Sequence, residues 1–290
     1  MTVSIRVVIV NFNAGETLSS VVRSALESDQ KVRVTVHDNA STDGSLELLQ
    51  QTYAGFEQLD VVPGDENIGF SRAVNAVARN CTEDYLLILN PDCELFPGAL
   101  EKLVTALEHD PGAALAGPLV VDSRGLVQRG TLRNFPDPWN SLVTLGHLSW
   151  LGKWFTTFRG VEGDPPRQVG QNVLAEAVSG ACMLVRRRQF VELGGLDEGY
   201  GLHCEDLDLM YRFHQAGFHC LLVSDARVCH QQGTSSRSRP AWVHRQKHRG
   251  MQRFFNKFQA DRYGLPMRWL VTAGIWLRYA VTLPVALLKK

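Results

Sequence analysis

An apolar run, Tyr85–Leu89, ends abruptly in Asn90-Pro91-Asp92. Its length suits a fully buried parallel strand, and Pro91 cannot continue one, so Asp92 falls at the strand's carboxyl end. In open α/β sheets ligands bind at that end, and a carboxylate there can hold a hard divalent cation beside a phosphate. The other reading is that Asp92 caps a helix opened by Pro97. Two further strands end in amide or acid groups, the first at Asn11 and the second at Asp38-Asn39. In a parallel sheet such ends share one edge, although turns also favour Asn and Asp. Asn67, Gly69 and Asn75 lie at the start of a predicted helix. The exposed N–H groups of a helix start can face a phosphate, and the alternative is an ordinary Asn cap. Glu205-Asp206-Leu207-Asp208 places three acids in a helix's first turn, where the dipole favours them. A carboxylate there, following the flexible Gly199-Tyr200-Gly201, can also take a proton from a substrate hydroxyl. His230 ends an apolar strand, and it becomes a ligand only if the fold brings it to Asp92.

These residues need a scaffold. Strand patterns at Ile5–Val10, Val32–Val36, Leu59–Val62, Tyr85–Leu89 and Ala113–Val121 alternate with helical spacing at 15–27, 41–49, 69–79 and 97–108. Repeated β-α units imply an α/β fold with a mostly parallel sheet and helices on both faces. Residues 122–172, rich in Gly, Pro and Trp, break the rhythm, and such excursions often serve as lids or binding surfaces. A strand is expected at Ala175–Arg186, a helix at Glu205–Gln215, and two short strands at Cys220–Val223 and Arg227–Cys229.

Composition narrows the field. The 290 residues are 44% apolar and 21% charged, ordinary for a packed globular chain. No G-x-G-x-x-G follows the first strand and no P-loop is present, which argues against a dinucleotide dehydrogenase and a P-loop NTPase. The six cysteines form no C-x-x-C pair and read as buried apolar residues in a reducing compartment. The start, MTVSIRVVIVNF, lacks the features of a signal peptide. Net charge is zero, yet from Ala226 onward there are thirteen Lys/Arg against one acid, Asp261. A basic tail on an acidic body implies an anionic partner, and no nucleic-acid module is recognisable. Trp269–Leu288 is long and apolar but carries Arg278 near its middle and Pro284 near its end. This pattern fits an interfacial anchor better than a membrane span or a core helix.

Seven segments in order complete the picture: VVIVNFN, VHDNASTDGS, NIGFSRAVN, LNPDC, SGACMLVRR, GGLDEGYGLHCEDLDL and VCHQQGTS. Across residues 3–258 they resemble the family-2 glycosyltransferases of GT-A fold, and the NPD form with its later histidine looks most like bacterial rhamnosyltransferases of surface polysaccharide synthesis. The resemblance implies a GT-A catalytic domain over 1–235, with a nucleotide-sugar half (1–121) and an acceptor half (122–235), and a basic, amphipathic extension over 236–290. It implies that Asn11, Asp38 and Asn39 bind the nucleoside and that Asn67, Gly69 and Asn75 line the phosphates. Asp92 and His230 would ligate Mg²⁺ or Mn²⁺, and Asn90, where many relatives carry Asp, would contact the donor or a metal-bound water. Asp206 would be the general base, with Glu205 the second candidate. The implied activity is inverting transfer of a sugar, L-rhamnose in the best match, from a nucleoside-diphosphate donor to a glycan or polyprenyl-diphosphate-linked hydroxyl. The site would lie on the cytoplasmic face of the inner membrane. A UDP-hexose or UDP-N-acetylhexosamine transferase and a non-catalytic nucleotide-sugar-binding scaffold are the alternatives.

Overall fold

The computed structural model describes residues 3–164, 170–231 and 239–288. Gly233, Ser235, Arg237, Lys289 and Lys290, parts of the sequence reading, lie outside them.

The β-branched runs form strands, and the amphipathic segments between them pack on both faces. In chain order the first half is β1 (Ile5–Asn11), α1 (Thr17–Leu26), β2 (Val32–Asp38), α2 (Ser45–Thr52), β3 (Leu59–Pro63), α3 (Phe70–Asn80), β4 (Tyr85–Leu89), β5 (Cys93–Leu95), α4 (Ala99–His109) and β6 (Ala113–Val121). There follow β7 (Leu132–Arg133), α5 (Pro138–Leu145), β8 (Asn172–Ala175), β9 (Ala177–Val178), β10 (Cys182–Arg186) and α6 (Arg187–Glu192). The chain closes with α7 (Glu205–Gln215), β11 (His219–His230), α8 (Pro240–Phe258) and α9 (Leu265–Leu288).

Among the described residues the main sheet runs β3-β2-β1-β4-β10-β6-β11-β5, with β8 added against β11. β1 pairs parallel with β2 and β4, and β2 parallel with β3, so the expected common edge of strand ends exists, with Asn11 level with Asp38. The sheet is less parallel than its first half suggests. β10 lies between β4 and β6 and is antiparallel to both, and β5 and β8 are antiparallel to β11. These strands return from loops rather than helical crossovers, so nothing forces them parallel.

Three local expectations are corrected. Pro97 opens no helix, because α4 starts at Ala99 behind a left-handed Gly98. Asp92 therefore leads into β5 and does not cap a helix. The strand expected over 175–186 is two pieces, β9 and β10, broken at Ser179–Ala181. Cys220–Val223 and Arg227–Cys229 belong to one strand, β11, with an irregularity in its pairing between Val223 and Arg227.

One core cluster packs α1 and α4 against the sheet; the other joins α3, α7 and α8 to the opposite face. α8 thus belongs to the core: Phe254 is buried in the second cluster and Phe255 is also buried. The boundary expected at 235 falls before a helix whose aromatic face is continuous with that of the catalytic domain. Charge fastens it further. Lys257 on α8 lies 2.6 Å from the fully buried Asp208 of α7 and 2.7 Å from Asp197, while Arg212 pairs with Asp208 at 2.6 Å. α9 differs, having no buried residue. It leans on α8 through Trp276, whose Nε1 donates to Gln252 at 2.9 Å, and through Tyr279, stacked on His244 at 5.4 Å.

Candidate active site

Asn11 and Asp38 end neighbouring strands, and the register sets their side chains together. Asn11 Nδ2 donates to Asp38 Oδ1 at 2.7 Å and to Ser45 Oγ at 2.9 Å. Ser41 donates its hydroxyl to Asp38 Oδ1 at 2.6 Å and its backbone N–H to Oδ2 at 2.9 Å. Asp38 is held rigidly, as a group that must aim at a ligand requires. Asn39 is buried, and its Oδ1 has no hydrogen-bond partner among the described residues. A buried unsatisfied acceptor is uncommon and marks a position that a ligand donor can complete.

Asn67 and Gly69 lie in the loop after β3, on the same sheet edge. Asn67 Oδ1 accepts the Gly69 N–H at 3.0 Å, and Gly69, with φ 89°, precedes the first turn of α3. Asn75 is placed differently. Its Nδ2 donates to the Leu196 carbonyl at 2.8 Å and to Glu198 at 3.0 Å, and its Oδ1 accepts the Leu196 N–H at 2.9 Å. It clamps α3 to the Gly194–Glu198 turn, where a Cβ on Gly195 would meet the Asn75 amide at 2.3 Å.

Asp92 and His230 come together because β5 pairs antiparallel with β11, setting His230 opposite Cys93. His230 Nε2 lies 3.2 Å from Asp92 Oδ1. Gln128 fixes the imidazole. Its Nε2 donates to the His230 carbonyl at 2.6 Å, which turns its Oε1 toward His230 Nδ1 at 3.2 Å. This network assigns the ring proton to Nδ1 and leaves the Nε2 lone pair facing the Asp92 carboxylate. Two acceptors at that separation need a proton or a cation between them, and an oriented imidazole beside a carboxylate suits a divalent metal. Were the pair to hold such an ion, the rest of its shell would be open to ligand oxygens and water. Asn90 donates its backbone N–H to Ala181 at 2.9 Å, and no partner of its side chain occurs among the described residues.

That backbone bond leads to the acid pair. Ala181 follows Gly180, and a Cβ on Gly180 would sit 2.6 Å from Asp206 Oδ2, so only the bare backbone lets the strand break lie beneath Asp206. Residues before α7 are unusual. His203 and Cys204 both take left-handed φ, 68° and 72°, an arrangement that side-chain-bearing residues hold only under surrounding constraint. It launches Glu205 and Asp206 from the top of α7.

The two acids have opposite settings. Arg133 reaches Asp206 Oδ2 at 2.5 Å and also donates to the Val178 carbonyl. Burial pushes the Asp206 carboxyl up, but the Arg133 guanidinium outweighs it and holds the group below the usual carboxylate range. Glu205 has no such cation. Burial, and then the charge of Asp206, push it up to about 8, and its buried Oε2 has no hydrogen-bond partner among the described residues. At neutral pH Asp206 is the ionised member and Glu205 the protonated one. Such divergence leaves Asp206 the member able to accept a proton and Glu205 the member able to give one.

Gln128 and Arg133 are the site residues that sequence reading missed. Both come from the 122–172 excursion, and nothing local marks an isolated Gln or Arg there. A groove of about 620 Å³ lies at the opposite end of the first strands, lined by Arg6, Arg33 and Asp60. Its charges satisfy one another, Arg6 pairing with Asp60 and Glu83, and it is remote from the acid pair.

Known proteins share this fold and its sequence pattern. The mannosyltransferase PcManGT of Pyrobaculum calidifontis, solved with GDP-Man and Mn²⁺, superposes with a TM-score of 0.60 at 18% identity, covering 97% of this chain and 72% of that one. The N-acetylglucosaminyl-diphospho-decaprenol L-rhamnosyltransferase of Mycobacterium tuberculosis is 31% identical over 96% of this chain and 92% of its own length. Rhamnosyltransferase WbbL of Escherichia coli is 28% identical over 80% of this chain and 85% of its own. The glycosyl transferase family 2 profile matches residues 6–189, and the chain belongs to that family.

Proposed function

We propose that this glycosyltransferase inverts the anomeric centre as it moves a sugar, best read as L-rhamnose from dTDP-rhamnose, to a polyprenyl-diphosphate-linked glycan. The observation that carries the reading is the ionised Asp206, held against Arg133, on the sheet edge that also carries the Asp92–His230 pair. In the reaction the bond from the anomeric carbon to the diphosphate oxygen breaks as the acceptor oxygen attacks from the opposite face. Asp206 takes the acceptor's proton as that hydroxyl becomes acidic. Arg133 keeps the carboxylate charged and aimed. Asn11, Asp38 and Asn39 hold the nucleoside, and Asn67 and Gly69 offer the loop before α3 to the phosphates. Asp92 and His230 would hold the Mg²⁺ or Mn²⁺ ion, with Gln128 orienting the imidazole. When bound, such an ion stabilises the negative charge of the leaving diphosphate as a Lewis acid.

Acceptor class and location follow from the C-terminal hairpin and from the rhamnosyltransferase relative whose named acceptor is a diphospho-decaprenol. Among the described residues α9 is the one helix long and apolar enough to cross a membrane, with mean hydropathy 1.5. It presents Leu270, Leu277, Val281 and Val285 outward, each more than half exposed. With Arg245 and Arg249 exposed on α8 beside it, the hairpin suits the surface of an anionic bilayer, on its cytoplasmic side. The test is a panel of nucleotide sugars offered with Mg²⁺ or Mn²⁺ and a polyprenyl-diphosphate-linked acceptor. Metal-dependent release of dTDP with transfer is the expected result; turnover of UDP-sugars alone overturns the donor, and no turnover with any donor overturns the reading.

A further inference from the structure

The cations of the C-terminal hairpin are not all paired. Arg253 and Lys257 hold Asp197, and Arg268 holds Asp261. As with the exposed Arg245 and Arg249, no ion-pair or hydrogen-bond partner of the charged group occurs among the described residues for Lys247 and Arg278. The fold nevertheless brings them together. Tyr279, next to Arg278, stacks on His244 and meets His248 edge-on at 5.5 Å, and these two histidines flank Lys247 on α8. Thr282, one turn on, donates its hydroxyl to the Arg278 carbonyl at 2.6 Å and meets His244 Nε2 at 2.9 Å. Burial, and then the nearby Arg278, depress the Lys247 ammonium, against the opposing charge of Glu162, and burial, with His244, Arg278 and Lys247 adding to it, lowers His248.

This turn of α8 also abuts the catalytic helix. A Cβ on Gly250 would sit 2.7 Å from the His203 carbonyl oxygen, and a Cβ on Gly201 would meet the Gln246 amide at 2.7 Å. Lys247 therefore lies against the left-handed residues from which Asp206 springs. On the other side of Arg278 the helix shows Leu277 and Val281 to solvent, each 66% exposed. These two cations thus lie between the apolar outer stripe and the proposed base. A prenyl chain in a bilayer, joined through a diphosphate to a sugar whose hydroxyl reaches Asp206, must place its diphosphate in between.

We propose that Lys247 and Arg278 form the receiving site for the diphosphate of the lipid-linked acceptor. The inference rests on the acceptor class proposed above. Steady-state transfer is measured in neutral detergent with two acceptors bearing the same sugar, one on a short prenyl diphosphate and one on an uncharged alkyl chain. Lys247→Gln and Arg278→Gln should each raise KM for the diphosphate acceptor by about ten- to hundredfold, the range for losing a charge-assisted contact. KM for the alkyl acceptor and for the donor should move less than about twofold, well below one such contact. Arg278→Lys should recover most of the loss, which a packing role would not allow. Equal losses with both acceptors overturn the proposal. So does weaker sedimentation with phosphatidylglycerol vesicles at unchanged acceptor KM, which marks a headgroup site. If the wild-type enzyme uses the alkyl acceptor and ignores the diphosphate one, the acceptor class itself is wrong, and that failure shows before any variant is made.

Discussion

Replacing Asp206 with Asn removes the proton acceptor while keeping the shape of the side chain. A positioned general base contributes about 10²–10⁴ in rate, or about 2.7–5.5 kcal/mol of barrier. Turnover should fall by that factor, with donor affinity retained because Asn11 and Asp38 are untouched. The substitution also unpairs Arg133. Breaking a fully buried pair costs about 3–5 kcal/mol. Here the side chains keep 18% and 14% exposure and Arg133 retains the Val178 carbonyl, so the loss in stability should be smaller. Glu205→Gln is the control. Glu205, pushed up to about 8, carries its proton at neutral pH, so an amide replaces it almost isosterically and most turnover should survive. Stability gives an independent reading. Between its ordinary value of 4.5 and about 8, folded Glu205 holds a proton that the unfolded chain releases. Stability therefore falls with rising pH across that window, by up to about 1.4 kcal/mol per pH unit, and Glu205→Gln should flatten the slope. The assays are kcat and donor KM at pH 7 and urea unfolding at several pH values. Transfer by Asp206→Asn above about a tenth of the wild-type rate, or an equal loss in Glu205→Gln, refutes the assignment of the base.

Gln128→Leu removes the group that fixes the His230 tautomer without touching Asp92 or His230. It should weaken Mn²⁺ binding by about 10–100-fold, measured by titration calorimetry, and unchanged affinity would show that Gln128 does not orient the ligand. Gly250→Ala gains helix propensity but drives a methyl to 2.7 Å from the His203 carbonyl oxygen. The overlap should win, costing about 1–3 kcal/mol in urea unfolding and lowering kcat, and a stabilised, fully active variant would contradict the packing described. Deleting residues 266–290 should abolish sedimentation with anionic vesicles while leaving the melting temperature nearly unchanged, because α9 has no buried residue. Undiminished vesicle binding would remove α9 as the anchor.

The sequence by itself determined the first half of the fold and which strand ends share one edge. Period-two and buried runs fix strands locally, and parallel β-α units leave few ways to arrange them, so Asn11 and Asp38 were legible as neighbours on one edge. Asp92 was legible as a strand end. Its partner was only a suspicion, because it depended on β5, a three-residue strand too short to carry a pattern, pairing with β11. The tertiary structure alone set the two acids apart, Asp206 ionised and Glu205 protonated at neutral pH, on which the proposed base rests. Glu205 and Asp206 are adjacent and chemically alike in sequence, and Arg133, 73 residues away, separates them. It also took Asn75 from the phosphate region to the Gly194–Glu198 turn, and drew α8 into the core while leaving α9 outside. Such choices depend on side chains far apart in the chain meeting in a low-dielectric interior, where one guanidinium outweighs local composition.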